Sequence, residues 1–341
     1  MLRRVAACCD KTAPLIDTVE PSMKKRLLVT RRLPDEIHAR AARDYDAVLN
    51  LDSRLYTTDD LVGLSAEFDA FLVCLTDKLP KPAIDRLSPR VGVISTFSVG
   101  YEHVDVAAAR ARGIPVGNAP NGVTVATAEI AMLLILGAMR RAPEGERLIA
   151  QRQWGGWAPM ALLGRRLDGK RLGILGLGKI GQAVARRARA FDMVIHYHSR
   201  SRRPPDEEQG ATYHPTLDSL LAVSDVLSIN APSTPETRHI VDARALDLLP
   251  RGAVVINTAR GDLVKDDDLI AALKSGQVGY AGLDVFEGEP KHHPGYLGLD
   301  NVFLLPHMGT SAIEARIEMG NEALDNIDAH FAGRPLPHAV N

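Results

Sequence analysis

Short apolar runs separated by proline, glycine and polar turns set the rhythm of the first third of the chain. Lys25 to Thr30 (KRLLVT) reads as a strand, and Pro34 to Arg43 as a helix opened by proline. Ala47 to Leu49 and Ala70 to Leu75 read as further strands, with a helical stretch from Thr58 between them. Pro80 and Pro82 open another helix, and Arg90 to Thr96 (RVGVIST) gives another strand. This alternation of β and α predicts a parallel sheet with helices on both faces. Gly113 to Gly122 (GIPVGNAPNG), rich in Gly, Pro and Asn, reads as a crossing between domains. Val123 to Gln153 is then helical in pattern, broken near Pro143.

The second half turns on KRLGILGLGKIG, Lys170 to Gly181. Leu172 to Leu175 has the look of a buried strand, and a helical period runs on to about Phe191. Between them Gly176, Gly178 and Gly181 form G-x-G-x-x-G. In that context the first glycine makes a tight turn, the second lets backbone approach a pyrophosphate, and the third lets helix pack on strand. The helix N-terminus then holds the anion, so the stretch predicts a dinucleotide site. Further strands are expected at Met193–Tyr197, Asp225–Ile229, Ala253–Asn257, Ala281–Val285 and Val302–Leu305, with a closing helix over Ser311–Phe331. One intervening helix is well punctuated: Asp266 to Asp268 supply an acidic first turn, Lys274 lies in the last, and Gly276 caps it. The fold class is α/β with two doubly wound parallel-sheet domains, and the late fingerprint assigns the cofactor to the second.

Composition narrows the class. The chain has 341 residues, 45% hydrophobic and 24% charged, which suits two ordinary globular domains. A net charge of −1 gives no electrostatic case for nucleic acid or an anionic membrane. Three cysteines, two of them adjacent at Cys8 and Cys9, make no disulfide framework and point to a reducing cytoplasm. Cys74, inside an apolar run, is expected in the core. Val123 to Met139 is interrupted by Thr124, Thr127 and Glu129, so it reads as a buried or interface helix rather than a membrane span. Residues 1–22 resemble neither a secretory signal nor a transit peptide, and are expected to be an extension ahead of Met23.

GLGKIG at 176–181, NTARGDLV at 257–264, GLDVFEGEP at 282–290 and LLPHMGTS at 304–311 together resemble the D-isomer-specific 2-hydroxyacid dehydrogenases. STFSVGYEHVD at 95–105 and the SRSRR run at 199–203 are most similar to the glyoxylate/hydroxypyruvate reductases of that family. The resemblance implies a flavodoxin-like substrate domain (23–120 plus 309–341) and a Rossmann cofactor domain (121–308), with the active site in the cleft between them. It implies a reductase converting glyoxylate to glycolate and hydroxypyruvate to D-glycerate. Two alternatives stay open: another D-2-hydroxyacid dehydrogenase, of phenylpyruvate or 3-phosphoglycerate type, and a non-catalytic nucleotide-sensing scaffold like the co-repressors of this fold.

Reducing a 2-oxo acid needs a cation for the carboxylate, a proton donor for the developing alkoxide, and a group that tunes the donor. Arg260, His307 and Glu289 fill these roles by the resemblance. An arginine at a strand end can grip a carboxylate through two bonds, and an imidazole held by a carboxylate donates near neutrality. Glu289 stands where the formate dehydrogenases of this fold have glutamine, which disfavours formate oxidation. The main-chain N–H groups of Val99 and Gly100 are expected to help bind substrate, with Ser98 and Thr76 nearby. Trp157 resembles a tryptophan that reaches the neighbouring subunit's pocket in some reductases, and fits a dimer-interface aromatic equally well.

The expected cofactor contacts are Gly176, Leu177, Gly178, Lys179, Ile180 and Gly181 in the turn, with Ala231, Pro232 and Thr237 beside adenosine. Thr258, Ala259, Arg260, Asp284, His307 and Gly309 complete them. No acid follows the second Rossmann strand until Asp206, whereas Ser199, Arg200 and Arg202 occupy the turn. A hydroxyl and guanidinium groups suit a 2′-phosphate, so NADPH is expected over NADH. His196 and His198 share a strand face without a third ligand, and no metal is expected. The apolar helix from Val123 points to a homodimer.

Overall fold

The apolar tetrads of the first half pair into one sheet in the computed structural model, which describes residues 24–341. The expectations for residues 1–22, Cys8, Cys9 and Met23 lie outside the described residues. Strands β1 (Arg26–Val29), β2 (Asp46–Leu49), β3 (Ala70–Val73), β4 (Val93–Thr96) and β5 (Val116–Gly117) are all parallel, in the order β2-β1-β3-β4-β5. They alternate with α1 (Asp35–Asp44), α2 (Thr58–Leu64), α3 (Lys81–Arg86) and α4 (Val106–Ala111). Helices cover both faces, so β3 and β4 are buried at every position, and β3 reads as an unbroken apolar run rather than an alternating one. Thr57 and Asp60 close a reciprocal capping box at the start of α2.

Part of the segment expected to be a crossing is strand β5. Two residues are too few to show a period, and the crossing itself starts after Gly117. The chain's end covers this edge: Val340 N–H donates to the Val116 carbonyl at 2.9 Å, and Gly117 bridges Ala339 antiparallel.

The second half opens with α5 (Val123–Met139) and α6 (Ala142–Ala150), bent by 72° at a break where Arg141 adopts a left-handed φ of 54°. Beyond a long exposed loop come β6 (Arg171–Leu175), α7 (Lys179–Arg189), β7 (Val194–His198), α8 (Pro205–Glu208) and β8 (Thr212–Tyr213). Then follow α9 (Leu217–Leu221), β9 (Val226–Ile229), α10 (Ala243–Asp247), β10 (Ala253–Asn257), α11 (Asp266–Ser275), β11 (Val278–Leu283) and β12 (Val302–Leu304). The seven strands are parallel in the order β12-β11-β10-β9-β6-β7-β8. Chain direction across the sheet reverses between β6 and β9, and crevices at such a switch point take ligands. Gly276 ends α11 at φ 72° as its sequence position predicts.

Most of α5 is buried against this sheet, Leu134 and Ile135 joining Leu172, Val254 and Ile256 in one core. Among the described residues no single helix is long and apolar enough to cross a membrane. The last helix, α12 (Ile313–Phe331), returns to the first sheet, where Met319, Ala323, Leu324 and Ile327 pack with Leu27, Val29, Leu72 and Val93. Asn326, fully buried on α12, donates to the Asn118 carbonyl at 2.9 Å and accepts from His338 N–H at 3.0 Å. One side chain thus ties helix, crossing and tail together.

Candidate active site

The glycine turn after β6 has the shape its residues require. Gly176 sits at φ +96°, and a Cβ there would lie 2.9 Å from Asn230 and the Ala231 nitrogen. A Cβ at Gly181 would strike the Gly176 carbonyl, whereas one at Gly178 would meet nothing within 4 Å. Gly178 caps α7, so open space lies at the helix N-terminus where an anion is favoured. Ser199 accepts from Leu177 N–H at 2.9 Å, joining the turn to the end of β7.

Between the two sheets lies a cleft of about 560 Å³. Ser98, Val99 and Gly100 line it from the first domain, and Thr258, Arg260 and His307 from the second. His307 follows β12 with φ 55°, held there by its N–H donating to the Asp284 carbonyl at 2.9 Å. The buried Asp284 carboxylate accepts from Met308 and Gly309 N–H at 2.6 and 2.7 Å, fixing the turn. Glu289 lies 2.7 Å from His307 Nδ1 and accepts from Phe286 N–H at 2.8 Å. Burial pushes the Glu289 carboxyl up, but the bonds from His307 and Phe286, with the charges of His307 and Arg260, bring it below its ordinary value. An ionised Glu289 fixes a proton on Nδ1 and leaves Nε2 as the free ring position.

Arg260 follows β10 in extended backbone, its carbonyl accepting from Asn257 Nδ2 at 2.8 Å. Its Nη1 donates to the Ala259 carbonyl at 2.8 Å, and Nε stands 3.4 Å from Glu102 across the cleft. The guanidinium lies against Gly100, where any Cβ would collide with Nη2. Glu102 was not legible as a site residue. Its only signal is an acid within the VGYEHVD stretch.

The Val99–Gly100 turn is held from below. Ser98 Oγ donates to the Gly100 carbonyl at 2.6 Å and meets Thr96 Oγ1 at 2.6 Å, which in turn contacts His103 Nε2 at 3.0 Å. Asn118 Nδ2 donates to the Val99 carbonyl at 2.8 Å. The N–H groups of Val99 and Gly100 have no partner among the described residues. Ser98 is therefore occupied in holding the turn. Thr76 is exposed and outside the lining, although its neighbour Leu75 is in it. Trp157 is 85% exposed on the loop after α6 and does not line the cleft of its own chain.

Ile180, Ala231, Pro232, Ala259, Asp284 and Gly309 also line the cleft. Thr258 Oγ1 and Asn230 Oδ1 are buried there without partners, which suits a polar nucleotide ligand better than an empty cavity. Thr237 Oγ1 accepts from Thr234 N–H at 2.8 Å and donates to the Pro232 carbonyl at 2.8 Å, shaping the loop. Lys179 Nζ donates to Asn121 Oδ1 at 2.8 Å. At the end of β7 the basic residues part company: Arg200 is exposed and makes no hydrogen bond or ion pair among the described residues, whereas Arg202 is paired with Glu208 at 2.8 Å. Tyr197 OH donates to the same carboxylate at 2.6 Å, making Arg202 a strut of the turn. His196 Nδ1 contacts His214 Nε2 at 2.9 Å, but no group of three metal-ligating side chains gathers among the described residues.

A parallel sheet that carries a glycine turn at its switch point and an Arg–Glu–His set at its other strand ends, with the Val99–Gly100 turn facing them across a cleft, defines a nucleotide-dependent oxidoreductase of hydroxy acids. The D-isomer-specific 2-hydroxyacid dehydrogenase NAD-binding domain model matches residues 132–309, and the chain belongs to that family of NAD(P)-dependent oxidoreductases. Glycerate dehydrogenase of Hyphomicrobium methylovorum is 50% identical over 319 residues, covering 93% of this chain and 99% of that protein. Glyoxylate reductase of Thermococcus litoralis is 38% identical over 323 residues, covering 94% and 97%. Among solved structures, the NADPH-dependent glyoxylate/hydroxypyruvate reductase of Sinorhizobium meliloti, in complex with NADP and malonate, superposes with TM-score 0.82 at 34% identity over 93% of this chain and 97% of that one.

Proposed function

We propose that this protein reduces small 2-oxo acids, glyoxylate to glycolate and hydroxypyruvate to D-glycerate, with NADPH preferred over NADH. One juxtaposition carries the reading: Arg260 and the Glu289–His307 pair share a cleft with the unpaired Val99 and Gly100 amides. The nicotinamide, when bound, supplies the hydride that reaches C2 of the keto acid. Arg260 and the two amides hold the carboxylate, placing C2 and its oxygen beside His307. Nε2 of His307 gives the proton to that oxygen as it gains charge, and Glu289 stabilises the cation before and orients the ring throughout. Each turnover consumes one proton, which His307 recovers from solvent.

Residues 176–181, with Asn230, Ala231, Pro232, Thr258, Ala259, Asp284 and Gly309, would hold the dinucleotide. Ser199 and the free guanidinium of Arg200 would meet the 2′-phosphate, with Arg202 bracing the turn through Glu208. Residues 23–120 with 309–341 would form the substrate side, and 121–308 the cofactor side. Exposed Trp154, Trp157, Met160 and Leu163 on the loop after α6 support a homodimer through this face, with Trp157 reaching the partner.

The test is the loss of reduced-nicotinamide absorbance with purified protein, crossing NADPH and NADH with glyoxylate, hydroxypyruvate, phenylpyruvate and 3-phosphohydroxypyruvate. Fast turnover of the two small acids with NADPH is expected. A preference for NADH would sink the Arg200 assignment alone. Tight nucleotide binding without turnover of any acid would instead favour a nucleotide-sensing scaffold.

A further inference from the structure

The cleft holds a second guanidinium that this scheme leaves unused. Arg316, in the first turns of α12, lines the same cleft as Arg260 and His307 but from the element packed on the first domain. Its one polar contact among the described residues is from Nη2 to Ser311 Oγ at 3.4 Å, and its guanidinium carbon stands 5.7 Å from the Phe97 ring centre. No carboxylate among the described residues pairs with it. Arg40 meets Asp325 and Asp328, Arg171 meets Asp225, and Arg141 meets Glu144, whereas Arg31, which also lacks a partner among the described residues, lies outside the cleft lining. Burial pushes the Arg316 guanidinium below its ordinary value, opposed only by the Cys74 thiol. That thiol is itself pushed up to about 12 by burial, so it is neutral and offers no counter-charge.

A half-buried cation without a counter-charge gives up part of its hydration, and in a ligand cleft the ligand is the natural source of the missing acceptor. Leu75, Phe97, Val123 and Met319 line the cleft around it with apolar surface, which strengthens any polar contact made there. The carboxylate and keto oxygen of a substrate are already assigned, to Arg260 with the Val99 and Gly100 amides and to His307. The remaining part of a three-carbon acid is C3, and Arg316 is the remaining guanidinium in the lining.

We propose that Arg316 reads the substituent on C3, favouring 2-oxo acids that carry an acceptor oxygen there over those that carry only hydrogen. The inference rests on the reductase reading and concerns which acids that cleft prefers. Pyruvate and hydroxypyruvate differ by that one oxygen, and oxaloacetate carries a carboxylate there, so the three separate a hydroxyl from a carboxylate as its source.

The full-length protein with NADPH would be assayed on pyruvate, hydroxypyruvate and oxaloacetate, with glyoxylate as the reference that lacks C3. Wild-type kcat/KM for at least one of the two acceptor-bearing acids is expected to exceed that for pyruvate tenfold or more. Arg316→Gln should cut that ratio at least tenfold, mainly through KM, and Arg316→Lys should restore part of it. A wild-type ratio near one, or equal losses on pyruvate and the acceptor-bearing acids, would overturn the proposal while glyoxylate turnover still upheld the reductase reading. No turnover of any acid, glyoxylate included, would overturn both. Should Arg316→Gln not fold, the wild-type ratio decides alone.

Discussion

His307 shows how much a single residue owes to its neighbours. An isolated imidazole is an ordinary base, yet this one sits at φ 55° with Nδ1 bonded to Glu289 and its main chain pinned by Asp284. If it donates the proton, His307→Ala should lower kcat by about 10²–10⁴-fold while the dissociation constant for NADPH, read by fluorescence titration, changes little. Loss of nucleotide affinity in step with activity would mark the histidine as structural. Arg260, His307 and Glu289 stood out as candidates because the motifs around them are distinctive, and the structure sets Arg260 and His307 in one cleft with Glu289 bonded to His307. Glu102, Asn230 and Arg316 were not, since no pattern separates a cleft-lining side chain from a solvated one until the two domains are set face to face. Arg202 shows the converse: a guanidinium in the right turn, already bound to Glu208.

At the scale of elements, periodicity found the strands and helices with enough length to repeat. It passed over β5 and β8, two residues each, and the short helices α4, α8, α9 and α10, because alternation and a helical stripe both need several residues to show. β5 depends on tertiary partners, being covered by the tail and by Asn326. Asn326→Ala would leave the Asn118 carbonyl and the His338 N–H short of a buried partner, a cost of about 1–3 kcal/mol for each group so stranded. The expected result is a lower midpoint of urea unfolding with the slope preserved. An unchanged midpoint would mean that solvent replaces the side chain and that this junction contributes little.

For the molecule as a whole, the cleft between the sheets is bounded by a loop whose support is a buried histidine. His103 is 5% exposed, and burial lowers it from 6.5 to about 4. The folded form keeps this ring neutral, so below pH 6.5 the unfolded chain binds a proton that the native chain refuses. Stability is therefore full above that pH and is lost as pH falls toward about 4, by on the order of 3 kcal/mol at 1.36 kcal/mol per unit. His103→Gln, which can still bond Thr96, should flatten the loss between pH 7 and 5 measured by chemical unfolding. An equal slope in the variant would place the acid sensitivity elsewhere. What the sequence determined by itself was local: the strand–glycine–helix unit, the alternation that makes two parallel sheets, and the motifs of the family, all written in contiguous residues. What only the tertiary structure decided was which distant groups meet. The pairing of Arg260 with Glu102, the place of Arg316 in the cleft and the return of α12 to the first sheet depend on how the domains face each other, and packing between remote segments leaves no periodic trace in either.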